Sequence, residues 1–284
     1  MSSFEMPYFD HILGHLEEDQ GSDIAKVFGR NVHWGFWDEP SKADGSVADF
    51  VRASENMTLK VCSFAGIKDG MRVLDAGCGF GGAVASLNDR FTGLDLVGLN
   101  IDPRQLERAR AIVKARESNR VEFVQGDACE LPFEDASFDA VTALECIFHF
   151  PSREKFLAEA MRVLKPGGRL TVSDFVLRGS SLPWFIPATM IFVGKGIEDY
   201  MGHTDVTWIL SKYQAKVRAA GFTNLSTVDI TAGTLPTYPA LLDLLRKTKP
   251  VDELGVRSVN ALKWLSRLGG VRYKILTMTK PAGR

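Results

Sequence analysis

The sequence predicts an α/β fold with a doubly wound, seven-stranded and mostly parallel sheet. Three observations carry this prediction. Short apolar runs alternate with amphipathic stretches from about residue 55 to 178, and a glycine-rich turn directly follows the first apolar run. Two later apolar runs can pair as an antiparallel hairpin. Together these features predict right-handed βαβ units whose sheet is covered by helices on both faces.

The predicted elements follow in chain order, each bounded by a turn or helix signal. Asp102-Pro103 opens a helix, because proline suits the first helical turn, and Asp102 is equally a helix cap or a contact to a ribose hydroxyl. Lys165-Pro166-Gly167-Gly168 ends another helix. The predicted strands cover 72–75, 95–101, 120–125, 138–144, 169–174, 224–231 and 271–279, and the predicted helices include one from about 82 and those over 104–115, 153–164 and 207–220.

The remaining segments are interpreted as additions to this core. Both insertions that interrupt the later part of the chain fall at the carboxyl edge of the sheet, where ligands bind, and we expect them to form a helical cap. The predicted organisation is a helical and aromatic lid segment over 1–50, a ligand-binding core over 51–178, a cap insertion over 179–206, a continuation of the core over 207–231, a helical cap insertion over 232–269 and the final strand over 270–284.

The composition excludes several classes of protein. The 284 residues include 34 basic and 35 acidic side chains, so the net charge of −1 leaves no basic footprint for nucleic acid and a small-molecule substrate is expected. The longest apolar run, over 182–194, is too short to span a bilayer. The four cysteines form no C-x-x-C pair, and no signal peptide is recognised, so a cytoplasmic location is expected and the oligomeric state stays open.

The glycine-rich turn after the first predicted strand carries the most information about the ligand. Gly77 and Gly79 let the backbone turn sharply and come close to a ligand, because no Cβ is in the way. Asp75 precedes them, and a carboxylate there would serve a pyrophosphate poorly but suits a ligand with a cationic amino end and a ribose. S-adenosylmethionine (AdoMet) is such a ligand, and it is the cofactor that we expect.

The ends of the second and third predicted strands add polar groups at the same edge. Asn100, Ile101 and Gln105 are candidate cofactor contacts at the tip of the second strand. After the third strand, the carboxylate of Asp127 can accept from the adenine amine, while the Ala128 N–H can donate to a ring nitrogen. The alternative is that Asp127 only forms a turn.

Candidate chemistry follows the fourth and fifth predicted strands. Because neighbouring strands lie about 5 Å apart, His149 and Asp174 are expected to emerge near each other at the ligand edge. A neutral imidazole is a suitable general base for a hydroxyl, and a carboxylate can orient it. Glu145, at the end of the fourth strand, is a candidate cofactor contact. The alternative gives His149 and Asp174 only structural hydrogen bonds.

An aromatic segment, His33-Trp34-Gly35-Phe36-Trp37, precedes the core. It is either a packing cluster or a lid whose π faces meet a sulfonium, with Trp37 as the candidate cofactor contact.

In combination, VLDAGCGFGG, GLNIDPRQ, GDACELPF and VLKPGG resemble the class I AdoMet-dependent methyltransferases, which have a Rossmann-like sheet. The aromatic segment and the histidine after the fourth strand resemble the small-molecule natural-product O-methyltransferases of the rebeccamycin and erythromycin sugar type. This resemblance implies His149 as the base and Asp174 as its helper. Asn100 departs from the pattern, because many members of the class carry an acid there; the cyclopropane-forming branch, which methylates carbon, has a polar or small residue instead.

The leading hypothesis is therefore AdoMet-dependent methylation of a hydroxyl on a small secondary metabolite, such as a glycoside. C- or N-methylation of an apolar or prenyl- or sterol-like metabolite is the alternative. A diphosphate-bearing substrate would need clustered Arg or Lys, and only scattered ones occur, including Arg178, Lys195 and Lys212. Two further hypotheses come from other classes of protein. One is a non-catalytic AdoMet-binding protein, and the other is an NAD-dependent dehydrogenase, against which Asp75 argues.

Overall fold

The computed structural model describes residues 6–19, 21–181, 183, 202, 204–205, 207–247 and 253–283. One seven-stranded sheet forms its centre. The strands are β1 (Arg72–Ala76), β2 (Asp95–Asn100), β3 (Arg120–Gln125), β4 (Phe138–Leu144), β5 (Leu164–Leu177), β6 (Thr223–Asp229) and β7 (Val271–Thr279). Their order is β3-β2-β1-β4-β5-β7-β6. The first five strands are parallel, and β7 is antiparallel to both of its neighbours, so the predicted fold class and the late antiparallel pair are confirmed.

The fifth strand is much longer than the sequence predicted. It begins at Leu164, directly after a helix, and the expected helix stop lies inside the strand as an irregularity where the pairing with β4 shifts. At its other end the strand continues to Leu177, which pairs with Val271 of β7. The long antiparallel partner supplies backbone hydrogen bonds that a local pattern cannot reveal.

Helices cover both faces of the sheet, as expected for a mostly parallel sheet. The described α-helices are α1 (Pro7–Glu18), α2 (Asp23–Phe28), α3 (Val47–Ala65), α4 (Gly82–Asn88), α5 (Pro103–Ile112), α6 (Arg153–Val163), α7 (Leu210–Ala219), α8 (Thr231–Thr234), α9 (Thr237–Lys247) and α10 (Glu253–Arg267). Residues of α6 and α7 pack in one apolar cluster with β4 and β5, whereas residues of α3, α4 and α5 pack against β1 and β2 on the other face.

The amino-terminal helices and the late helices meet beyond the carboxyl edge of the parallel strands. Ile24 and Val27 of α2 share an apolar cluster with Phe50 of α3 and Leu244 of α9. The lid role of residues 1–50 and the other segment boundaries remain predictions. Most of the expected cap insertion over 179–206, including its apolar run, lies outside the described residues. Among the described helices, none has the length and apolarity that crossing a membrane requires.

Candidate active site

The turn after β1 contains two glycines, and glycine is favoured at each of them for a different physical reason. Both have positive φ angles, +79° at Gly77 and +54° at Gly79, which glycine adopts without strain. A Cβ on Gly77 would lie 2.7 Å from the Cys146 sulfur, so this glycine is required by packing. A Cβ on Gly79 would meet nothing closer than Gln105 Oε1 at 3.8 Å, so it would point into open space. Gly79 is therefore the position at which the backbone leaves room for a ligand.

Asp75 is the penultimate residue of β1, beneath this turn. Its Oδ1 accepts a hydrogen bond of 2.8 Å from the Thr142 hydroxyl, and the side chain is buried. Burial raises the pKa of Asp75 to about 6, and the bond from Thr142 opposes the rise. A cationic group bound nearby would favour the ionised carboxylate.

The tip of β2 offers an unsatisfied donor. Asn100 Nδ2 donates to Gln105 Oε1 at 2.9 Å, and the Ile101 N–H donates to Asn100 Oδ1 at 3.0 Å. These bonds orient the Gln105 amide so that its buried Nε2 lies towards the Asp102 carboxylate but has no partner at normal hydrogen-bond geometry among the described residues. A buried unpaired donor is costly unless a ligand satisfies it.

These groups line one cavity of about 90 Å³ at the carboxyl edge of the sheet, which we call the cofactor cavity. Asp127, after β3, lies at the same edge, and its Oδ1 accepts from the Cys129 N–H at 2.7 Å. Nine of the ten expected cofactor contacts line this cavity: Asp75, Gly77, Gly79, Asn100, Ile101, Gln105, Asp127, Ala128 and Glu145.

Trp37 is the exception, and its predicted cofactor contact is not found. Its indole Nε1 donates to Asp49 Oδ2 at 2.9 Å, and its ring stacks near Phe50 in an apolar cluster away from the cavity. The packing alternative therefore describes Trp37. Trp34, three residues earlier, instead lines a second cavity, and its backbone N–H donates to Glu145 Oε2 at 3.0 Å.

The second cavity, which we call the apolar cavity, has a volume of about 240 Å³. Aliphatic and aromatic side chains from α1, α2, α9, α10 and the ends of β5 and β7 dominate its lining. The described lining residues include no Lys or Arg. Five residues line both cavities and so form their junction: Tyr8, Val32, His33, Glu145 and His149.

His149 reaches this junction because a short 3-10 turn, Ile147–His149, follows β4. Its backbone N–H donates to the Cys146 carbonyl at 2.9 Å, which fixes the turn. At the imidazole ring, the Tyr8 hydroxyl lies 3.3 Å from His149 Nε2. A hydroxyl group can therefore reach this ring nitrogen at the place where the two cavities meet.

Asp174 does not join His149, contrary to the sequence-based expectation. It lines neither cavity; Arg153 Nη2 donates to its Oδ2 at 3.0 Å, and the Tyr213 hydroxyl donates to the same oxygen. Burial raises the pKa of Asp174, while the charge of Arg153 lowers it. Successive side chains on a strand point to opposite faces. Ser173 and Phe175 face the junction and the apolar cavity, so Asp174 faces the helices behind the sheet.

Glu145 occupies an unusual backbone conformation at the end of β4. Its φ angle is +53°, a strained value for a residue with a Cβ. Its Oε2 accepts from the Tyr273 hydroxyl at 2.5 Å as well as from the Trp34 N–H. Burial raises the pKa of Glu145 to about 8, although both hydrogen bonds oppose the rise.

His33 and Tyr8 are junction residues that the sequence analysis did not name as individual contacts, although His33 belongs to the aromatic segment. His33 Nδ1 lies 2.9 Å from the Trp34 carbonyl, and because a carbonyl only accepts, this nitrogen carries the proton. Nε2 then accepts from the Thr58 hydroxyl at 3.0 Å. Burial lowers the pKa of His33 to about 4, so the ring is neutral at physiological pH. Membership of the aromatic segment is the sequence signal of His33, whereas Tyr8 has none.

Comparisons with known proteins find methyltransferases among the relatives of this chain. Residues 74–172 match the family model described as a methyltransferase domain. The methyltransferase GfsG from Streptomyces halstedii is 35% identical over 269 residues, which are 93% of this chain and 92% of that protein. The 27-O-demethylrifamycin SV methyltransferase from Amycolatopsis mediterranei (strain S699) is 33% identical over 272 residues, covering 91% and 93% of the two chains.

Similarity over a shorter part of the chain, and in fold, extends to C-methyltransferases. The sterol 24-C-methyltransferase ERG6B of Gibberella zeae is 36% identical over 202 residues, which are 66% of this chain and 50% of that protein. Among solved structures, the geranyl diphosphate C-methyltransferase of Streptomyces coelicolor A3(2) has a TM-score of 0.70 at 18% identity. That alignment covers 97% of this chain and 99% of the other, and it supports the shared fold.

Proposed function

Because the chain belongs to the class I AdoMet-dependent methyltransferases, we propose that it methylates a hydroxyl group of a largely apolar, uncharged secondary metabolite, with His149 as the general base. The observation that carries this proposal is the position of His149 at the junction of the two cavities. An imidazole there can take a proton from a group that enters through the apolar cavity and reacts at the cofactor cavity.

The cofactor cavity fits AdoMet by its own chemistry. Gly79 leaves space that a Cβ would fill, and the unpaired Gln105 Nε2 needs an acceptor such as a ribose oxygen. Asp75 is a buried carboxylate whose pKa a cationic amino group would lower. Asp127 and Ala128 lie at the far end, where an adenine amine and ring nitrogen would be satisfied. When bound, AdoMet supplies an electrophilic methyl group on a sulfonium sulfur.

The protein's part in the proposed reaction is positioning, exclusion of water and removal of one proton. The Tyr8 hydroxyl marks a place where an O–H group can donate to His149 Nε2. An acceptor hydroxyl at this place would give its proton to the ring as its oxygen forms the new bond to carbon. His33 is held neutral and hydrogen-bonded on both nitrogens, so it is suited to fixing the wall of the junction rather than to proton transfer.

The lining of the apolar cavity supports an apolar, uncharged methyl acceptor. Binding pockets dominated by apolar side chains gain affinity from the burial of apolar surface, and a few polar groups fix the orientation. Leu241, Leu262, Leu265 and Val271 line the wall, and Ser258 contributes a buried hydroxyl without a partner among the described residues. Because the described lining has no Lys or Arg, a phosphorylated acceptor would leave its charge unpaired.

Methylation of carbon is a second candidate, favoured by the similarity to a sterol 24-C-methyltransferase. An alkene acceptor would also fit an apolar cavity. It needs no base before transfer, so His149 would then matter less to turnover. The two candidates therefore differ in the atom that carries the new methyl group and in the effect of removing the imidazole.

The test is methyl transfer to a panel of neutral hydroxylated metabolites, including 27-O-demethylrifamycin SV and sterol alcohols, with matched phosphate esters. Mass spectrometry reports the gain of one methyl group, and NMR of the product assigns it to oxygen or carbon. His149→Ala should lower turnover by roughly 10²–10⁴-fold while S-adenosylhomocysteine (AdoHcy) affinity stays within a few-fold of wild type. Tyr8→Phe is the matched control, because it removes the neighbouring hydroxyl and keeps the imidazole.

Near-wild-type turnover of His149→Ala on an accepted hydroxyl substrate would contradict the general-base assignment. A product methylated on carbon would contradict O-methylation itself. Preference for the phosphate esters over the neutral compounds would contradict the proposed acceptor class.

A further inference from the structure

Glu145 is the only one of the nine lining cofactor candidates that also lines the apolar cavity, as far as the described residues show. Both hydrogen bonds to its carboxylate end on Oε2, so Oε1 receives no hydrogen bond from the described residues. No described Lys or Arg contributes to its electrostatic environment. The side chain is thus a carboxyl group held in place on one oxygen, without a cationic partner among the described residues, on the wall between the two cavities.

The strand order indicates how a bound ligand is oriented in the cofactor cavity. Asp127 follows β3, whereas Glu145 follows β4, and the order β3-β2-β1-β4 places three strand intervals between them. At about 4.8 Å for each interval, the two ends are about 14 Å apart. A ligand whose adenine lies at Asp127 therefore extends its ribose, its sulfonium and its amino-acid end towards the side of Glu145. Methyl transfer requires the sulfonium to face the junction with the apolar cavity, and Glu145 lines that junction.

We infer that Glu145 is the counter-charge for the sulfonium of the methyl donor, and that its ionised form distinguishes AdoMet from AdoHcy, whose thioether sulfur carries no charge. This role is electrostatic and is distinct from a hydrogen-bond contact to the ribose or adenine. The backbone strain at φ +53° fits the role, since strained conformations persist where the surrounding structure holds a group in a required place. The Tyr273 hydroxyl and the Trp34 N–H supply that support from two distant segments.

The inference gives Glu145 a further part in the proposed reaction. As the bond from sulfur to the methyl carbon breaks, its electron pair stays on sulfur, and a lone pair of the acceptor oxygen forms the new bond to carbon. The hydroxyl proton passes to His149, so the positive charge moves from sulfur to the imidazole. Because Glu145 and His149 line both cavities, one carboxylate can stabilise the charge before and after transfer. This second part rests on the proposed function, whereas the response to the cofactor does not.

The groups around Glu145 determine the pH range in which AdoMet binding is expected to release a proton. Its pKa of about 8 means that the carboxyl group is mostly protonated at pH 7. A sulfonium nearby lowers this pKa, so binding releases a proton. The titratable and polar groups around Glu145 come from several elements: Tyr8 of α1, His33 and Trp34 of the aromatic segment, Asp75 of β1, Cys146 and His149 of the following turn, Ser173 and Asp174 of β5, Tyr238 of α9 and Tyr273 of β7.

The experiment compares three probes by isothermal titration calorimetry, without any acceptor. AdoMet carries a sulfonium, sinefungin carries an amine at the same place, and AdoHcy is uncharged there. Titrations in two buffers of different ionisation enthalpy count the protons released. At pH 7 the wild-type protein should release close to one more proton with AdoMet than with AdoHcy, and AdoMet affinity should rise up to about tenfold between pH 7 and pH 8.5 while AdoHcy affinity stays nearly level. Sinefungin should behave like AdoMet wherever its amine is protonated.

Two variants separate charge from structure. Glu145→Gln keeps the shape, and it should abolish the extra proton release and reduce the preference for AdoMet over AdoHcy by roughly tenfold at pH 8.5. Tyr273→Phe keeps the carboxylate and removes one hydrogen bond that lowers its pKa, so the rise in AdoMet affinity should move to higher pH.

Equal proton release with AdoMet and AdoHcy in the wild-type protein would overturn the inference, and this measurement needs no variant to fold. Equal weakening of all three probes in Glu145→Gln would overturn it too, because it would show a merely structural role. Neither result bears on O-methylation, which is decided by the methylated product.

Discussion

The distinction between the two turn glycines leads to a quantitative prediction. Gly79→Ala places a methyl group in the cofactor cavity, where its only neighbour is Gln105 Oε1 at 3.8 Å. The positive φ of +54° costs about 1–2 kcal/mol for a residue with a Cβ, so the variant should fold with a modest loss of stability. The alanine methyl group would fill the space in which AdoMet is expected to lie against the backbone of this turn. We therefore expect a loss of affinity of at least about 100-fold, or about 2.7 kcal/mol, and no measurable binding for Gly79→Val.

Gly45→Ala is the matched control, because Gly45 has a φ of +75° and a Cβ there would have no atom within 4 Å. The two alanine variants should lose similar stability in denaturant unfolding, but only Gly79→Ala should lose affinity for AdoMet and AdoHcy in calorimetry. Gly77→Ala should instead be the least stable of the three, since its Cβ would collide with Cys146 at 2.7 Å. Unchanged affinity in a folded Gly79→Ala protein would refute the placement of the cofactor against this turn.

Two further predictions concern buried charges. Arg153→Met leaves the carboxylate of Asp174 buried without its cation, so the free energy of unfolding should fall by about 3–5 kcal/mol, and a fall below about 1 kcal/mol in denaturant unfolding would contradict the assigned ion pair. The pKa of the Asp75 carboxyl group is raised from 3.8 to about 6 in the ligand-free protein. Its contribution to stability is therefore present below about pH 4 and is lost as the pH rises through 6. The free energy of unfolding changes by about 3 kcal/mol over this range. Asp75→Asn should remove that part of the pH dependence, and parallel curves for the two proteins between pH 4 and 8 would disprove the shift.

The order of elements could be predicted because it depends on local patterns. The strands β3, β4 and β7 have the predicted bounds, since apolar runs with clear turn signals define both ends. The carboxyl ends of parallel strands meet at one edge, so the polar residues after β1, β2 and β3 were expected to share a site, and they line one cavity.

The direction in which a side chain points could not be predicted equally well. Side chains alternate along a strand, so an error of one position exchanges the two faces. Asp174 was assigned to the ligand edge, but Ser173 and Phe175 point there. In the aromatic segment, Trp34 lines a cavity while Trp37 is held by Asp49, and nothing local to the segment distinguishes them.

By itself, the sequence determined the fold class, the glycine turn and the set of strand ends that line the cofactor cavity. The physical reason is that backbone conformation and hydrophobic periodicity depend on residues close in the chain. Only the tertiary structure decided what meets His149 and Glu145. Tyr8 is 141 positions from His149 and Tyr273 is 128 positions from Glu145, so these contacts exist only because the helices and the antiparallel strand close over the edge of the sheet.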